Sequence, residues 1–119
     1  MKENLIADKS FKFAKRIYFL YKFLIDEKKE YILSKQILRS ATSIGANVEE
    51  AIGGQSKKDF ISKLSIAYKE ARETHYWIRL LYEVKVINET EYNSILQDCE
   101  ELLKIIGSIQ KSTKQNLNS

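Results

Sequence analysis

The sequence predicts an all-α protein, folded as an antiparallel up-down-up-down four-helix bundle, and three observations lead to this expectation. None of the 119 residues is proline and only four are glycine, so the chain is free to run in long helices. Apolar residues recur at steps of three and four along four segments, which is the period of helices with one buried face. No stretch alternates with a period of two, so we expect no sheet. Short connections favour antiparallel neighbours.

The helices are expected at 9–28, 31–53, 56–84 and 89–112, all within a single domain that covers residues 1–119. In the first helix, Phe13, Ile17 and Leu20 mark the buried face. Either Asp8 or Ser10 is expected to cap its start. The cluster of charged residues that follows, "DEKKE", indicates a turn.

The second helix contains an unusual number of small residues. Gly45 lies between Ala41 and Val48 on the apolar stripe, where glycine costs about 1 kcal/mol of helix propensity relative to alanine. Close approach of a neighbouring helix is the simplest compensation. A phosphate-binding loop is the alternative, but "GGQSKK" lacks the residue order of a P-loop and no strand precedes it. The Gly53–Gly54 pair is expected to end this helix with a left-handed residue.

Caps and apolar stripes define the third and fourth helices. Ser56 followed by Asp59 resembles a capping box, and Asn88 or Thr90 is a good cap for the last helix. The fourth helix has a heptad-like pattern, formed by Tyr92, Ile95, Leu96, Cys99, Leu102, Leu103, Ile106 and Ile109. The polar tail after it is expected to fray.

Composition and cysteine usage indicate a cytoplasmic protein. Hydrophobic residues make up 44% and charged residues 30% of the chain, as in soluble globular proteins. Cys99 is the single cysteine and cannot form an intrachain disulfide. The N-terminal "MKENLIADKSF" has no apolar core of signal-peptide length, and no apolar run approaches the roughly 20 residues of a membrane span. We therefore expect no contact with a membrane.

Large apolar side chains also lie outside the narrow stripes, and they indicate self-association. On the first and third helices they are Phe11, Tyr18, Phe19, Phe23, Ile61, Ile66, Tyr68, Tyr76, Trp77 and Leu80. Scattered exposure of such residues is normal, whereas a contiguous patch marks an interface. A monomeric bundle would expose several of them, so a homo-oligomer is the preferred hypothesis.

A stripe of polar residues follows the apolar face of the second helix, and it is interpreted as a structural network. Its members include Arg39, Ser43, Asn47 and Glu50, at steps of three and four. Arg39 is expected to pair with an acidic residue of the third helix, such as Glu70 or Glu73. A hydrogen-bonded network that fixes helix or subunit register is preferred over a catalytic site.

The sequence offers little for catalysis or metal binding, so we expect no enzyme activity, metal or cofactor. A di-iron bundle needs Glu-x-x-His on two helices, but the only histidine, His75, follows Arg72 at that spacing. Cys99 lies within an apolar stripe and has no evident histidine partner for thiol catalysis.

The basic residues are the remaining candidates for function. The net charge is +4. Two groups of cations lie near exposed helix surface, and the first is interleaved with Phe19: Lys12, Lys15, Arg16 and Lys22 on the first helix, and Lys57, Lys58 and Lys63 at the start of the third. Cations with interleaved aromatic rings can contact phosphates and stack on unpaired bases. Lysines on exposed helix faces are also the default, so an ordinary solvated surface is the competing interpretation.

Two motifs carry a family resemblance: "QILRSATSIGANVEEA" and "QSKKDFISKLSIAYKEARETHYWIRLL". They are similar to the four-helix-bundle family of proteins encoded within intervening sequences of bacterial 23S ribosomal RNA genes. The accessory protein of diversity-generating retroelements is a relative. The matching positions are Arg39, Ser43, Ile44, Ala46, Asn47, Glu50, Ser56, Asp59, Phe60, Leu64, Ala67 and Glu73.

The resemblance implies a bacterial, cytoplasmic, non-enzymatic bundle that forms a barrel-shaped homopentamer. Nucleic-acid binding is proposed for the family, which agrees with the basic groups. The leading hypothesis is an oligomer that binds RNA or DNA through basic helix surfaces. The alternative is a protein-interaction scaffold, for example an accessory subunit of a nucleic-acid enzyme, that makes no direct nucleic-acid contact.

Overall fold

The structure is a computed structural model that describes residues 2–118. It contains four helices: α1 Lys2–Asp26, α2 Leu33–Ile52, α3 Lys57–Glu83 and α4 Glu89–Asn118. Each helix packs against the next, and α4 packs against α1 to close the bundle, so that α1 lies diagonally opposite α3. The molecule is elongated, 51 × 21 × 20 Å. The predicted antiparallel up-down-up-down bundle is confirmed, and no strand occurs in the described chain.

Helix α1 begins at Lys2 rather than at residue 9, so the predicted caps are wrong. Ile6 extends the core-facing stripe about two turns beyond Phe13. It is only 1% exposed, and its burial stabilises the additional helix. Ser10 therefore lies inside the helix, where its buried hydroxyl donates to the Ala7 carbonyl at 3.3 Å. The helix ends at Asp26 rather than at residue 28.

The turn between α1 and α2 contains a cap that sequence reasoning missed. The Glu30 carboxylate accepts hydrogen bonds from the backbone N–H groups of Ile32 at 3.0 Å, Leu33 and Ser34 at 3.2 Å. These donors have no partner within the first turn of a helix, so the carboxylate satisfies them. As a result, α2 begins at Leu33 rather than at residue 31.

The turn between α2 and α3 departs from the expected geometry at the glycines. Gly53 has φ −82°, and no glycine in the described chain has a positive φ. The expectation of a left-handed glycine is therefore wrong. Gly54 is required for space, since a Cβ there would lie 2.7 Å from Asp59 Oδ2 and 3.0 Å from the Ala51 carbonyl oxygen. The predicted Ser56 cap is confirmed, with its hydroxyl accepting from Asp59 N–H at 3.0 Å.

The turn between α3 and α4 contains the predicted Asn88 cap, whose side-chain oxygen accepts from Glu91 N–H at 2.8 Å. Left-handed backbone occurs instead at two lysines that follow α1 and α3: Lys29 has φ 54° and Lys85 has φ 66°. This conformation costs roughly 1–2 kcal/mol for a residue other than glycine.

Helix α4 continues to Asn118 rather than ending at residue 112, and the expected fraying of the polar tail stays a prediction. The Thr113 hydroxyl donates to the Ile109 carbonyl at 2.8 Å, a hydrogen bond to the backbone of the preceding helical turn. No described helix has an apolar stretch long enough to cross a membrane.

The core runs along the bundle axis and contains the predicted apolar stripes. Gly45 lies within α2 where that helix meets α1, and a Cβ built on it would lie 3.5 Å from the Ser10 carbonyl oxygen. Small residues at this position therefore allow α1 and α2 to approach closely. The predicted helix is confirmed up to Ile52, whereas Gly53 and Gly54 lie in the turn between α2 and α3.

Substitution of Gly45 tests how close this approach is. We expect Gly45→Ala to raise the free energy of unfolding by up to about 1 kcal/mol, because the added methyl fits at ordinary contact distance and alanine favours the helix. Gly45→Leu should lower it, because the longer side chain meets the Ser10 backbone. Urea denaturation monitored by circular dichroism measures both changes.

Gly107→Ala is the matched control, since a Cβ there would meet only Tyr68 at 3.9 Å. It should be stabilising by a similar amount. If Gly45→Ala destabilised the protein while Gly107→Ala stabilised it, α1 and α2 would have to lie closer than the structure indicates.

Candidate nucleic-acid interface

Three of the four predicted cations on α1 point away from the bundle. Lys12 and Lys22 form ion pairs along the helix, with Asp8 at 3.0 Å and Asp26 at 3.7 Å. Both pairs are exposed, and such pairs contribute only about 0.2–1 kcal/mol, so a phosphate can replace the carboxylate at small cost. Lys15 is exposed and has no carboxylate partner in the described chain.

Arg16, the fourth cation, faces α4 instead. Its guanidinium contacts Asp98 at 2.6 Å, the Ser94 hydroxyl at 2.8 Å and Glu91 at 3.6 Å. Two of its N–H groups therefore donate to α4. Arg16 ties two helices together, and it is the predicted nucleic-acid residue least available to a phosphate.

The predicted cations of α3 lie elsewhere on the molecule. Lys57 and Lys58 are exposed in the first turn of α3 and have no carboxylate partner in the described residues, whereas Lys63 pairs with Glu50 at 3.3 Å. Because α1 and α3 are diagonally opposite, one chain does not join the two basic groups into a continuous surface.

Exposed aromatic rings surround the α1 lysines. Phe11 is 71% exposed, Phe19 60% and Tyr18 47%, and the Tyr18 and Phe19 rings meet edge to face with centroids 5.6 Å apart. Of the other apolar residues predicted outside the stripes, Phe23, Ile66 and Tyr76 are exposed and the remainder are half-buried. We call the surface formed by Phe11, Lys15, Tyr18, Phe19 and Lys22 the aromatic–lysine face.

The polar stripe of α2 contacts α3 as expected. Arg39 donates to Glu70 at 3.2 Å and to Glu73, and the Trp77 indole N–H also donates to Glu73 at 3.3 Å. The arginine thus bridges two carboxylates of the neighbouring helix. Because the single cation of Arg39 is held between two carboxylates of α3, the cluster is suited to fixing the register of α2 and α3.

The remaining members of the stripe do not join that cluster. The Asn47 amide donates to the Ser43 carbonyl at 2.8 Å within α2, and Glu50 pairs with Lys63. A buried bond that sequence reasoning missed links the same two helices, since Thr74 donates to the Ser40 hydroxyl at 2.8 Å. Ser40 and Thr74 are polar residues at buried positions of α2 and α3. A buried hydroxyl needs a hydrogen-bond partner, and this need could have indicated the pair.

The described residues offer neither a group of metal ligands nor an accessible thiol. No group of three potential metal ligands occurs in the described residues. His75 Nε2 lies 3.1 Å from a carboxylate oxygen of Glu100. Cys99 is fully buried, and its Sγ donates to the Ala71 carbonyl at 3.4 Å. Burial, with the neighbouring charges of Glu100 and Asp98, raises the pKa of the Cys99 thiol to about 12.

A cavity of about 1000 Å³ lies near the end of the bundle that contains the α1–α2 and α3–α4 turns. Its walls come from the second half of α1 with Lys28 after it, and from the end of α3, the α3–α4 turn and the first turn of α4. They include Phe19, Phe23 and Ile87. Sequence reasoning did not predict this groove. The periodicity places Phe19 and Phe23 outside the core stripe. It does not predict the distance between helices, on which a groove depends.

The raised pKa of Cys99 predicts an unreactive thiol. At about pH 8, a group with this pKa is thiolate in roughly one molecule in ten thousand, and thiolate is the reactive form. We expect almost no reaction of the native protein with Ellman's reagent over minutes, and one thiol per chain after unfolding in guanidinium. Cys99→Ser is the blank for both measurements. Rapid native reaction would contradict the burial of this residue.

The sequence pattern described as "23S rRNA-intervening sequence protein" matches residues 2–108. A crystal structure of a protein of unknown function from the S23 ribosomal protein family of Bacteroides thetaiotaomicron is 55% identical, with a TM-score of 0.92. The similarity covers 93% of this chain and 99% of that one. A search of curated proteins gives no match. On the extent of the pattern match and the agreement in fold, the chain belongs to the family of 23S rRNA-intervening sequence proteins.

Proposed function

We propose that this protein is a non-enzymatic, cytoplasmic homo-oligomer that binds RNA or DNA through its basic helix surfaces. The observation that carries the proposal is the aromatic–lysine face. Phe11, Tyr18 and Phe19 are exposed beside lysines, one of which has no carboxylate partner in the described chain. Rings that stack on unpaired bases and ammonium groups that contact phosphates are the two elements of single-strand binding.

The expected mode of binding depends on charge more than on base sequence. Lysine ammonium groups contact backbone phosphates, which are the same for every base, so discrimination between sequences should be poor. Binding releases condensed counterions, and affinity should therefore fall steeply as salt rises.

The proposed self-association would strengthen binding, because it would multiply a small patch. One chain carries its two basic groups on different sides, and a net charge of +4 is modest for a polyanion binder. A ring of copies would present several equivalent patches to one strand, and each further contact would form at high effective concentration. Five copies is the number that the family resemblance implies, and it stays a prediction.

The unpaired lysines give the sharpest test. We expect the triple variant Lys15→Gln, Lys57→Gln, Lys58→Gln to bind a fluorescent single-stranded RNA at least about tenfold more weakly at low salt, because three phosphate contacts per chain are lost. Its affinity should also depend less steeply on salt between about 50 and about 200 mM. Fluorescence anisotropy measures both effects, and light scattering after size exclusion confirms that the oligomer is unchanged.

A matched control removes the same charge elsewhere. Lys69, Lys104 and Lys111 are exposed on α3 and α4, outside the predicted set. Replacing all three with glutamine should change affinity much less than the first triple variant. Equal losses for the two triples would show that only net charge matters, and no loss for the first would reject the proposed surfaces.

The scaffold alternative is favoured by one observation, the apolar groove at the turn end of the bundle. A defined oligomer that never shifts RNA at low salt would leave this alternative as the better account. A stoichiometric protein partner that stays bound after nuclease treatment would then be the expected finding.

A further inference from the structure

The groove lies at the end of the bundle that contains the α1–α2 and α3–α4 turns, and it has an apolar floor and aromatic edges. Leu20 and Ile87 form its floor and are each 6% exposed, whereas Phe19 and Phe23 at the edge are 60% and 42% exposed. Its volume of about 1000 Å³ is at the upper end of the range typical of ligand pockets. A groove of this kind can bury a large apolar side chain that a partner supplies.

The charges that line the groove are not balanced. Lys28 and Lys85 have no carboxylate partner in the described chain, whereas Arg16 and Glu91 pair with each other at 3.6 Å. Glu83 is the one lining carboxylate that lacks an ion pair among the described residues. The groove therefore carries two unpaired cations against one unpaired anion, and it is complementary to acidic groups.

The backbone at this end of the molecule provides a second, independent observation. Lys29 and Lys85 are the two described residues other than glycine with positive φ, and each follows the end of a helix. Glycine is the usual residue at such a position, because a side chain is unfavourable there. A cation near a helix C-terminus recovers part of this cost. Of the two, Lys85 lines the groove, so a cation lies there at a position where glycine would give the less strained backbone.

We propose that this groove is the docking site for an acidic, amphipathic segment of a partner protein. A large apolar side chain of that segment occupies the space between Phe19 and Ile87, and neighbouring aspartate or glutamate carboxylates contact Lys28 and Lys85. The inference goes beyond nucleic-acid binding and uses different cations from Lys15, Lys57 and Lys58, although Phe19 belongs to both the groove and the aromatic–lysine face.

A peptide fits the groove better than a nucleic-acid strand. The Lys28 ammonium lies 5.7 Å from the centroid of the Phe23 ring and covers one of its faces, so a base cannot stack there without displacing it. The aliphatic floor offers no hydrogen-bond donors or acceptors to a base edge. Glu83 would repel a continuous phosphate backbone, whereas a peptide helix can confine its carboxylates to one side.

The test is a selection of short random peptides displayed on phage against the intact oligomer. We expect enriched peptides to combine a large apolar residue with aspartate or glutamate. A synthetic copy of the strongest binder, labelled with fluorescein, should bind about tenfold more weakly to Phe23→Ala and to the double variant Lys28→Gln, Lys85→Gly. Tyr76→Ala, which removes an exposed aromatic residue from another part of α3, is the matched control and should leave peptide affinity unchanged.

The glycine in the double variant separates binding from folding. Lys85→Gly relieves the left-handed lysine, so the double variant should unfold at the same or a higher urea concentration while it binds the peptide less well. Enriched peptides that lack acidic residues, or that bind the variants and the native protein equally, would overturn the proposal. So would displacement of the peptide by single-stranded RNA that also loses affinity for the double variant, because the groove would then belong to nucleic acid.

Discussion

The orientation of α1 about its own axis decides which surfaces this protein can offer. Ile6, Ile17 and Leu24 are at most 1% exposed, and their burial turns one face of the helix toward the bundle axis. Because helical residues advance 100° per position, the same rotation places Phe11 and Tyr18 on the outside. Burying those rings within the chain would expose the aliphatic stripe, which would remove α1 from the core. The aromatic–lysine face is therefore a consequence of the core.

The groove adjoins the seam between α1 and α4, since Arg16 and Glu91 belong to both. The close approach of α1 to α2 at Gly45 has no counterpart at this seam, where polar side chains bridge the two helices. Lys9 reaches Glu101 at 2.9 Å, and this hydrogen bond raises the pKa of the Lys9 ammonium. Arg16 reaches Asp98 and Glu91. Charged ends of long side chains thus bridge this seam, and the groove lies beside it, between α1 and the α3–α4 turn.

The sequence was sufficient for the parts of the structure that depend on local chemistry. Periodicity located four helices, and the hydroxyl of Ser56 and amide of Asn88 were recognisable as caps because their bonds reach only three residues along the chain. The start of α1 was predicted too late, since Asp8 and Ser10 resemble caps while the burial of Ile6 depends on contacts with other helices. The Glu30 cap was missed because glutamate in a charged cluster has no distinctive pattern.

The candidate sites show the same limit. Arg39 was correctly expected to meet Glu70 or Glu73, because both helices expose a polar band beside an apolar one. The sequence does not predict that Arg16 links α1 to α4. Its spacing from Lys12 and Lys15 is typical of a solvent-exposed helix face, and the contacts with Asp98 and Glu91 depend on the position of α4. The groove depends on two stretches that lie far apart in the sequence, 16–28 and 82–91, so no single stretch of sequence indicates it.

The two proposed surfaces should respond differently to oligomerisation, and this follows from the size of their ligands. A nucleic-acid strand is long enough to contact several copies, so its affinity grows with the number of equivalent basic patches. An acidic peptide fills one groove of one chain, so its affinity per site does not depend on neighbouring copies. Both interactions weaken with salt, but the strand releases many counterions and the peptide few. In the proposed homo-oligomer, weakening the contacts between copies without unfolding the chain should therefore abolish the proposed nucleic-acid binding long before it affects the groove.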